Sequence, residues 1–142
     1  MDKSPASNTR DIVAFAEAFI LLSLFRLALA VVPVKKIIRL TTQNAPKGAA
    51  QAAEYHILPE TAERAIWAIK AVVRFSRIEF VCFPQSLAGY WMLRRRDVSS
   101  TIVYGVGRDN TKLIAHTWLK YGDRALLGGE IAHKFSPIAE WP

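Results

Sequence analysis

The chain has one cysteine and three histidines in 142 residues. A lone cysteine, Cys82, excludes an intrachain disulfide, and His56, His116 and His133 form no Cys/His cluster at zinc-ligand spacing. With only seven glycines there is no phosphate-cradling loop of either common spacing, and there is no His-Glu-x-x-His and no internal repeat. Gly105-Val106-Gly107 ends a strand that leads into a hairpin instead of a helix, so it lacks the context of a dinucleotide fingerprint. These absences point to a cytosolic, metal-free protein without a bound cofactor. An acidic excess is missing as well: Lys and Arg total 19 against 12 Asp and Glu, a net charge of +7. The charge is spread, eleven against seven before Cys82 and eight against five from there on. It favours acidic partners, whether nucleic acid, an anionic membrane surface or an acidic peptide, without choosing among them.

The length fits one domain at about 100 to 200 residues per domain. Residues 1–142 are read as a single unit, with 1–81 a helical lead-in and 82–142 the core that carries the chemistry. Apolar residues make up 51% of the chain, enough for a real core. Ile12 to Val34 is apolar for most of its length, but Glu17 and Arg26 interrupt it. A spanning helix needs about 20 mainly apolar residues, and each charge near the bilayer centre costs about 2.5 to 3.5 kcal/mol. A secretion signal fails too, since Asp2, Asp11 and Glu17 fall where a basic and then an uncharged segment belong. The stretch is expected to be a soluble helix. Attachment to a membrane surface is the competing reading, kept open by Lys35, Lys36 and Arg39 directly after it.

The first helix should run from Thr9 or Asp11 to just before Pro33, which cannot continue it. Gln43 to Ala53 reads as an exposed connection. A second helix starts at Pro59, with Glu60 and Glu63 at its positive end and Ile66, Ile69, Val73 and Phe80 on one stripe. A third runs from Cys82 or Phe83 to Arg95, and Arg94, Arg95 and Arg96 suit its negative end. That dipole explains the three arginines without nucleic acid, for which no aromatic-basic strip is present. The texture then turns to strand: Thr101 to Gly107, a turn at Asp109-Asn110, Lys112 to Tyr121, a turn at Gly122-Asp123, and a short strand over Ala125 to Gly129. Ile131 to Pro142 reads as a tail. Helices followed by an antiparallel meander make an α+β fold.

Cys82 stands at the start of the third helix, where free amides and partial positive charge stabilise a thiolate and can bind an oxyanion. A buried, inert cysteine is the plain alternative. On the strand Lys112 to Tyr121, alternation puts Ile114, His116 and Trp118 on one face, expected to be the face that meets the helix. A histidine directed at a helix start that bears a thiol is what a cysteine-histidine pair needs; a hydrogen-bonded core histidine is the alternative. A third group should orient the imidazole. Asp123, seven residues on and about 23 Å along an extended strand, cannot reach it. Glu130 can: a three-residue Gly122 to Arg124 loop pairs Tyr121 with Ala125 and carries Glu130 opposite His116, whereas a two-residue loop turns Glu130 away and leaves the ring to a backbone carbonyl or to nothing.

The run Cys82-Phe83-Pro84-Gln85-Ser86-Leu87-Ala88, then Leu93-Arg94-Arg95, Tyr104-Gly105-Val106, Ala115-His116-Thr117-Trp118-Leu119 and Gly128-Gly129-Glu130 with Phe135 resembles the lasso peptide biosynthesis B2 proteins. These are papain-like and transglutaminase-like cysteine peptidases that remove the leader from a ribosomally made precursor. The resemblance implies N-terminal helices followed by a catalytic helix on a small antiparallel sheet, with Cys82 and His116 as the working pair. It also implies a precursor leader peptide, a small leader-recognition protein of the B1 type and a lasso cyclase as partners. The family is associated with ATP dependence, yet no nucleotide site is visible here. Phe83 and Thr117 stand where the family usually has Leu and Ala. The family's third residue is usually Asp, whereas this chain offers Glu130 two residues later than a simple count from His116. A transglutaminase-like acyltransferase on the same dyad and a non-catalytic membrane-surface or protein-interaction adaptor are the other readings.

Overall fold

The structure, a computed structural model, describes residues 9–42, 57–77 and 81–142, with the backbone alone at 41 and 42. The connection expected over Gln43 to Ala53, together with His56 and Phe80, lies outside the described residues. Four helices come first: α1 (Thr9–Val31), α2 (Val34–Thr42), α3 (Glu60–Phe75) and α4 (Cys82–Arg94). A sheet follows, built from β1 (Thr101–Asp109), β2 (Lys112–Tyr121), β3 (Arg124–Leu127) and β4 (Ser136–Trp141), with a 3-10 helix over Gly129–Lys134 between the last two. The fold is α+β, with all strand pairs antiparallel and the order β3-β2-β1-β4.

The helices cover one face of the sheet. α1 turns a line of small and branched residues inward, Ala14, Ala18 and Leu22, at the i, i+4, i+8 spacing of one helix face. α3 meets it with Ala62, Ala65, Ala68 and Ala71 beside Ile66, Ile69 and Val72, so the helix axes can approach closely. Phe75, at the end of α3, stays exposed, while Val73 and Trp67 are only partly buried against this core. α4 lies between α1 and the sheet, with Ser86, Leu87, Ala88, Met92 and Leu93 all essentially inaccessible. The core continues into the sheet through Ile102, Leu119, Leu126 and Leu127. On the opposite face sits a second, smaller cluster of Val103, Trp118 and Phe135, against which Ala132 of the 3-10 helix packs.

Three ion pairs tie α1 to the rest. Arg64 of α3 reaches Asp11 at 2.9 Å, and Glu17 accepts from Arg95 at 3.0 Å and Arg96 at 2.8 Å beyond the end of α4. The arginines expected to serve the α4 dipole therefore have a tertiary partner as well. Glu17 meets Arg96 just beyond the end of α4, and Thr9, Arg10 and Val13 line one pocket with the same arginine, so α1 starts at the C-terminal end of α4 and runs antiparallel to it. Its last turn accordingly lies toward the end of α4 that begins with Cys82.

Three elements differ from expectation. Val34 to Thr42 forms a helix, and Ile37 and Ile38 are its buried residues. The expected tail contains a strand, β4, in which Pro137 pairs with Gly105 of β1; a proline is tolerated there because β4 is at the sheet edge. The third strand is shorter than expected and starts earlier. Tyr121 pairs with Arg124, so the turn is the two-residue Gly122-Asp123 with Gly122 at φ 56°, and not the three-residue loop.

Candidate active site

α4 begins at Cys82 with Val81 as the residue before its first turn, and no side-chain hydrogen bond caps that turn. The amides at this end are thus not spoken for by a capping side chain. Cys82 is partly exposed and free. Four residues on, Ser86 occupies the same helix stripe and donates from its hydroxyl to Thr117 Oγ1 at 3.4 Å. That contact fixes the level at which α4 crosses β2: its first turn lies along the strand beside Ala115 to Thr117.

The sheet presents its other alternation to the helix. Thr117 faces Ser86, and Leu119 lies under Gly89, where a β-carbon would come within 2.7 Å of Leu119 Cδ2. His116 and Trp118 therefore point to the far face, which corrects the expectation that their face meets the helix. Alternation fixes which residues share a face. The compact Thr117 and Leu119 fill the narrow space beneath α4, and the bulky pair lies where the 3-10 helix leaves room. Cys82 starts the helix on one side of the sheet, one helical turn before Ser86, and the imidazole lies on the other side of β2. Among the described residues no hydrogen bond joins them.

The imidazole is held firmly. It is 9% exposed, stacks on Trp118 with ring centroids 5.9 Å apart and lies 5.0 Å from the Phe135 ring. Its Nε2 is 2.7 Å from the carbonyl oxygen of Gly128. A carbonyl can only accept, so Nε2 carries a proton, and in the neutral ring the lone pair is on Nδ1. Gly128 can present its carbonyl there because it adopts φ 73°, and a β-carbon at this position would sit 3.1 Å from His116 Nε2 and 2.9 Å from the Thr117 carbonyl oxygen. Gly105, opposite His116 on β1, leaves the space that the Trp118 ring fills, since a β-carbon there would be 2.9 Å from the indole.

Glu130 does not continue the strand. A bulge at Leu126 shifts the β2–β3 register, so that Leu119 pairs with Leu127, and continuing that register would bring Glu130 opposite His116. The strand ends at Leu127, however. Gly128 turns the chain, and Glu130 falls in the first turn of the 3-10 helix with an exposed side chain. The nitrogen for which a carboxylate was expected is bonded to a backbone carbonyl. Sequence reasoning also missed Phe135 as the second ring against His116. The Gly128-Gly129 pair was the available signal for the carbonyl, since a left-handed residue is where a strand can turn away.

The match to the family model for the transglutaminase-like superfamily spans residues 19–140. The chain belongs to the transglutaminase-like superfamily. Among curated proteins and among solved structures nothing matches the chain significantly. Membership in this superfamily supports chemistry of the cysteine peptidase or acyltransferase type, in which a thiol forms a bond to an acyl carbon. Helices followed by a four-stranded antiparallel sheet agree with that fold. The match includes both α4 with Cys82 and β2 with His116.

Proposed function

We propose that this transglutaminase-like domain is a cysteine peptidase that removes the leader peptide from a ribosomally made lasso peptide precursor. The observation that carries the reading is His116, its Nε2 donating to Gly128 and its Nδ1 open to act as a base in the neutral ring, on the strand against which the helix that starts with the only cysteine packs. In this reading the Cys82 thiol comes within hydrogen-bond reach of His116 Nδ1 when substrate binds; Nδ1 then takes the thiol proton, and the Cys82 sulfur attacks the scissile carbonyl carbon. The tetrahedral oxyanion is met by the amides of the first α4 turn. The imidazolium returns its proton to the leaving amine, and water then releases the acyl group from sulfur.

The leader specificity rests on the resemblance of the Cys82 to Phe135 motifs to the lasso B2 proteins, and several of those motif residues have a physical task here. Gly105 makes room for Trp118, Phe135 and Trp118 flank the imidazole, and Ser86 marks the crossing of α4 over β2. The reading brings a precursor leader, a B1-type recognition protein and a cyclase as partners, a cytoplasmic location, and no cofactor bound by this chain. Glu130 remains the side chain that a third catalytic role would draw on, from the turn that follows Gly128.

The test is incubation of the full chain with the precursor and recognition protein from its own cluster, followed by mass measurement of the products. A leader fragment and a free core peptide, both absent with Cys82→Ala, are the expected result. Transfer of the acyl group to an added amine in place of water would instead favour the acyltransferase. Unchanged cleavage by Cys82→Ala would remove the thiol mechanism altogether.

A further inference from the structure

α1 is apolar around its whole circumference, yet the domain covers only one side of it. Among the described residues it is the helix long and apolar enough to cross a membrane, and 17% of its most apolar window is buried. Opposite the Ala14, Ala18 and Leu22 line, the outward face carries Ile12, Ile20, Leu24, Leu27 and Val31, with Leu27 65% and Val31 83% exposed. A helix apolar on all sides belongs in a core or against lipid. The core takes one side here.

Charge says what the other side fits. The only acids between residues 9 and 42 are Asp11 and Glu17, and both are turned inward, 16% exposed and paired with Arg64, Arg95 and Arg96. The exposed charges of the same segment are cationic: Arg10 in the first turn of α1, Arg26 at the margin of the apolar face, then Lys35, Lys36 and Arg39 on α2. An apolar face bordered by cations and cleared of carboxylates is complementary to a bilayer surface rich in anionic lipid. Crossing the bilayer is a poorer fit, because it would strip Asp11 and Glu17 of their arginines and pull Ala14, Ala18 and Leu22 out of the core. We propose that α1 and α2 form a docking face by which the folded domain lies on an anionic membrane surface, with α1 along the interface.

Sedimentation of the full chain with vesicles tests this. Vesicles of phosphatidylcholine with a third phosphatidylglycerol should bind the protein, pure phosphatidylcholine should bind it far less, and added salt should weaken the binding. Changing Lys35, Lys36 and Arg39 together to Gln should lower the partition coefficient by roughly a hundredfold at about 1 kcal/mol per cation. Leu27→Ser with Val31→Ser should lower it as well, and both variants should keep the thermal unfolding midpoint, because all five side chains are exposed. Equal binding to both vesicle types, or anionic binding untouched by the charge changes, overturns the proposal. So does a stable lipid-free dimer that the Leu27 and Val31 changes dissociate, since the face would then belong to a second copy. Binding of an acidic protein at this face with no binding to either vesicle overturns it too.

Discussion

At the scale of single residues, Cys82 and His116 are expected to behave as one unit. Cys82→Ala, His116→Ala and the double change should reduce leader removal to about the same residual rate, because a second loss costs little once the first has disabled the pair. A double change far slower than either single one would show two independent contributions. The orientation of the ring is separable from its chemistry through two glycines. Gly122→Ala and Gly128→Ala both place a β-carbon on a left-handed residue, at a cost of roughly 1 to 2 kcal/mol. Only Gly128→Ala also meets the imidazole and a neighbouring carbonyl, whereas nothing lies within 4 Å at Gly122. Gly128→Ala should therefore lose more stability than Gly122→Ala, and it alone should lose most of its cleavage rate under conditions where both variants remain folded. Glu130→Gln should change the rate little if the Gly128 carbonyl suffices. A loss on the order of a hundredfold, within the range for one catalytic group, would give Glu130 the third role.

At the scale of elements, α4 on β2 is the contact that sets the site, and Gly89 is where it is tightest. Alanine would improve helix propensity by about 1 kcal/mol. Its β-carbon, however, would come within 2.7 Å of both Leu119 and Leu127, side chains that are 0% and 2% exposed and have nowhere to move. Overpacking of this kind costs about 1 to 3 kcal/mol, so Gly89→Ala should lower the unfolding midpoint in urea despite the better helix former. The same contact shows what was legible beforehand. Proline, paired acids and an apolar stripe announced α3, and β-branched residues announced β1, because those signals act within one element. Which face of β2 meets α4 was not legible, since that is decided by how Thr117 and Leu119 fit beneath a glycine 28 and 30 residues earlier in the chain. The bulge at Leu126 escaped notice for a related reason: a single extra residue changes the register without leaving a compositional trace. α2 was hidden behind its cations, and β4 behind Pro137 and an exposure pattern that barely alternates.

At the scale of the whole molecule, the two ends of the sheet and the helix layer are joined by a few polar contacts. Tyr90 of α4 donates from its hydroxyl to the Pro142 carbonyl oxygen at 2.9 Å, linking the helix to the end of β4. Burial pushes its pKa above the ordinary 10.0, an effect that Arg94 partly opposes. The folded state thus holds a proton that the unfolded chain releases. The stabilisation is complete below pH 10 and is lost as the pH climbs through the raised value. Urea midpoints measured from neutral pH to about pH 11 should fall more steeply for the native chain than for Tyr90→Phe.

Asp11 and Glu17 have a practical consequence for where the domain is cut. The superfamily match starts at residue 19, and a fragment designed on it would omit Asp11, Ala14, Glu17 and Ala18. Arg64 and Arg96, 18% and 22% exposed, would then lose Asp11 and Glu17 inside a partly desolvated seam, keeping Glu60 and the Met92 carbonyl as their polar contacts, and α3 would lose the first turns of α1 that cover it. Glu17→Gln alone should cost about 1 to 2 kcal/mol, between an exposed and a buried ion pair. The shortened fragment should lose several times that and aggregate on expression. The boundary of sequence similarity thus falls inside the folding unit, and the residues just ahead of it should be kept in any excised version of the domain.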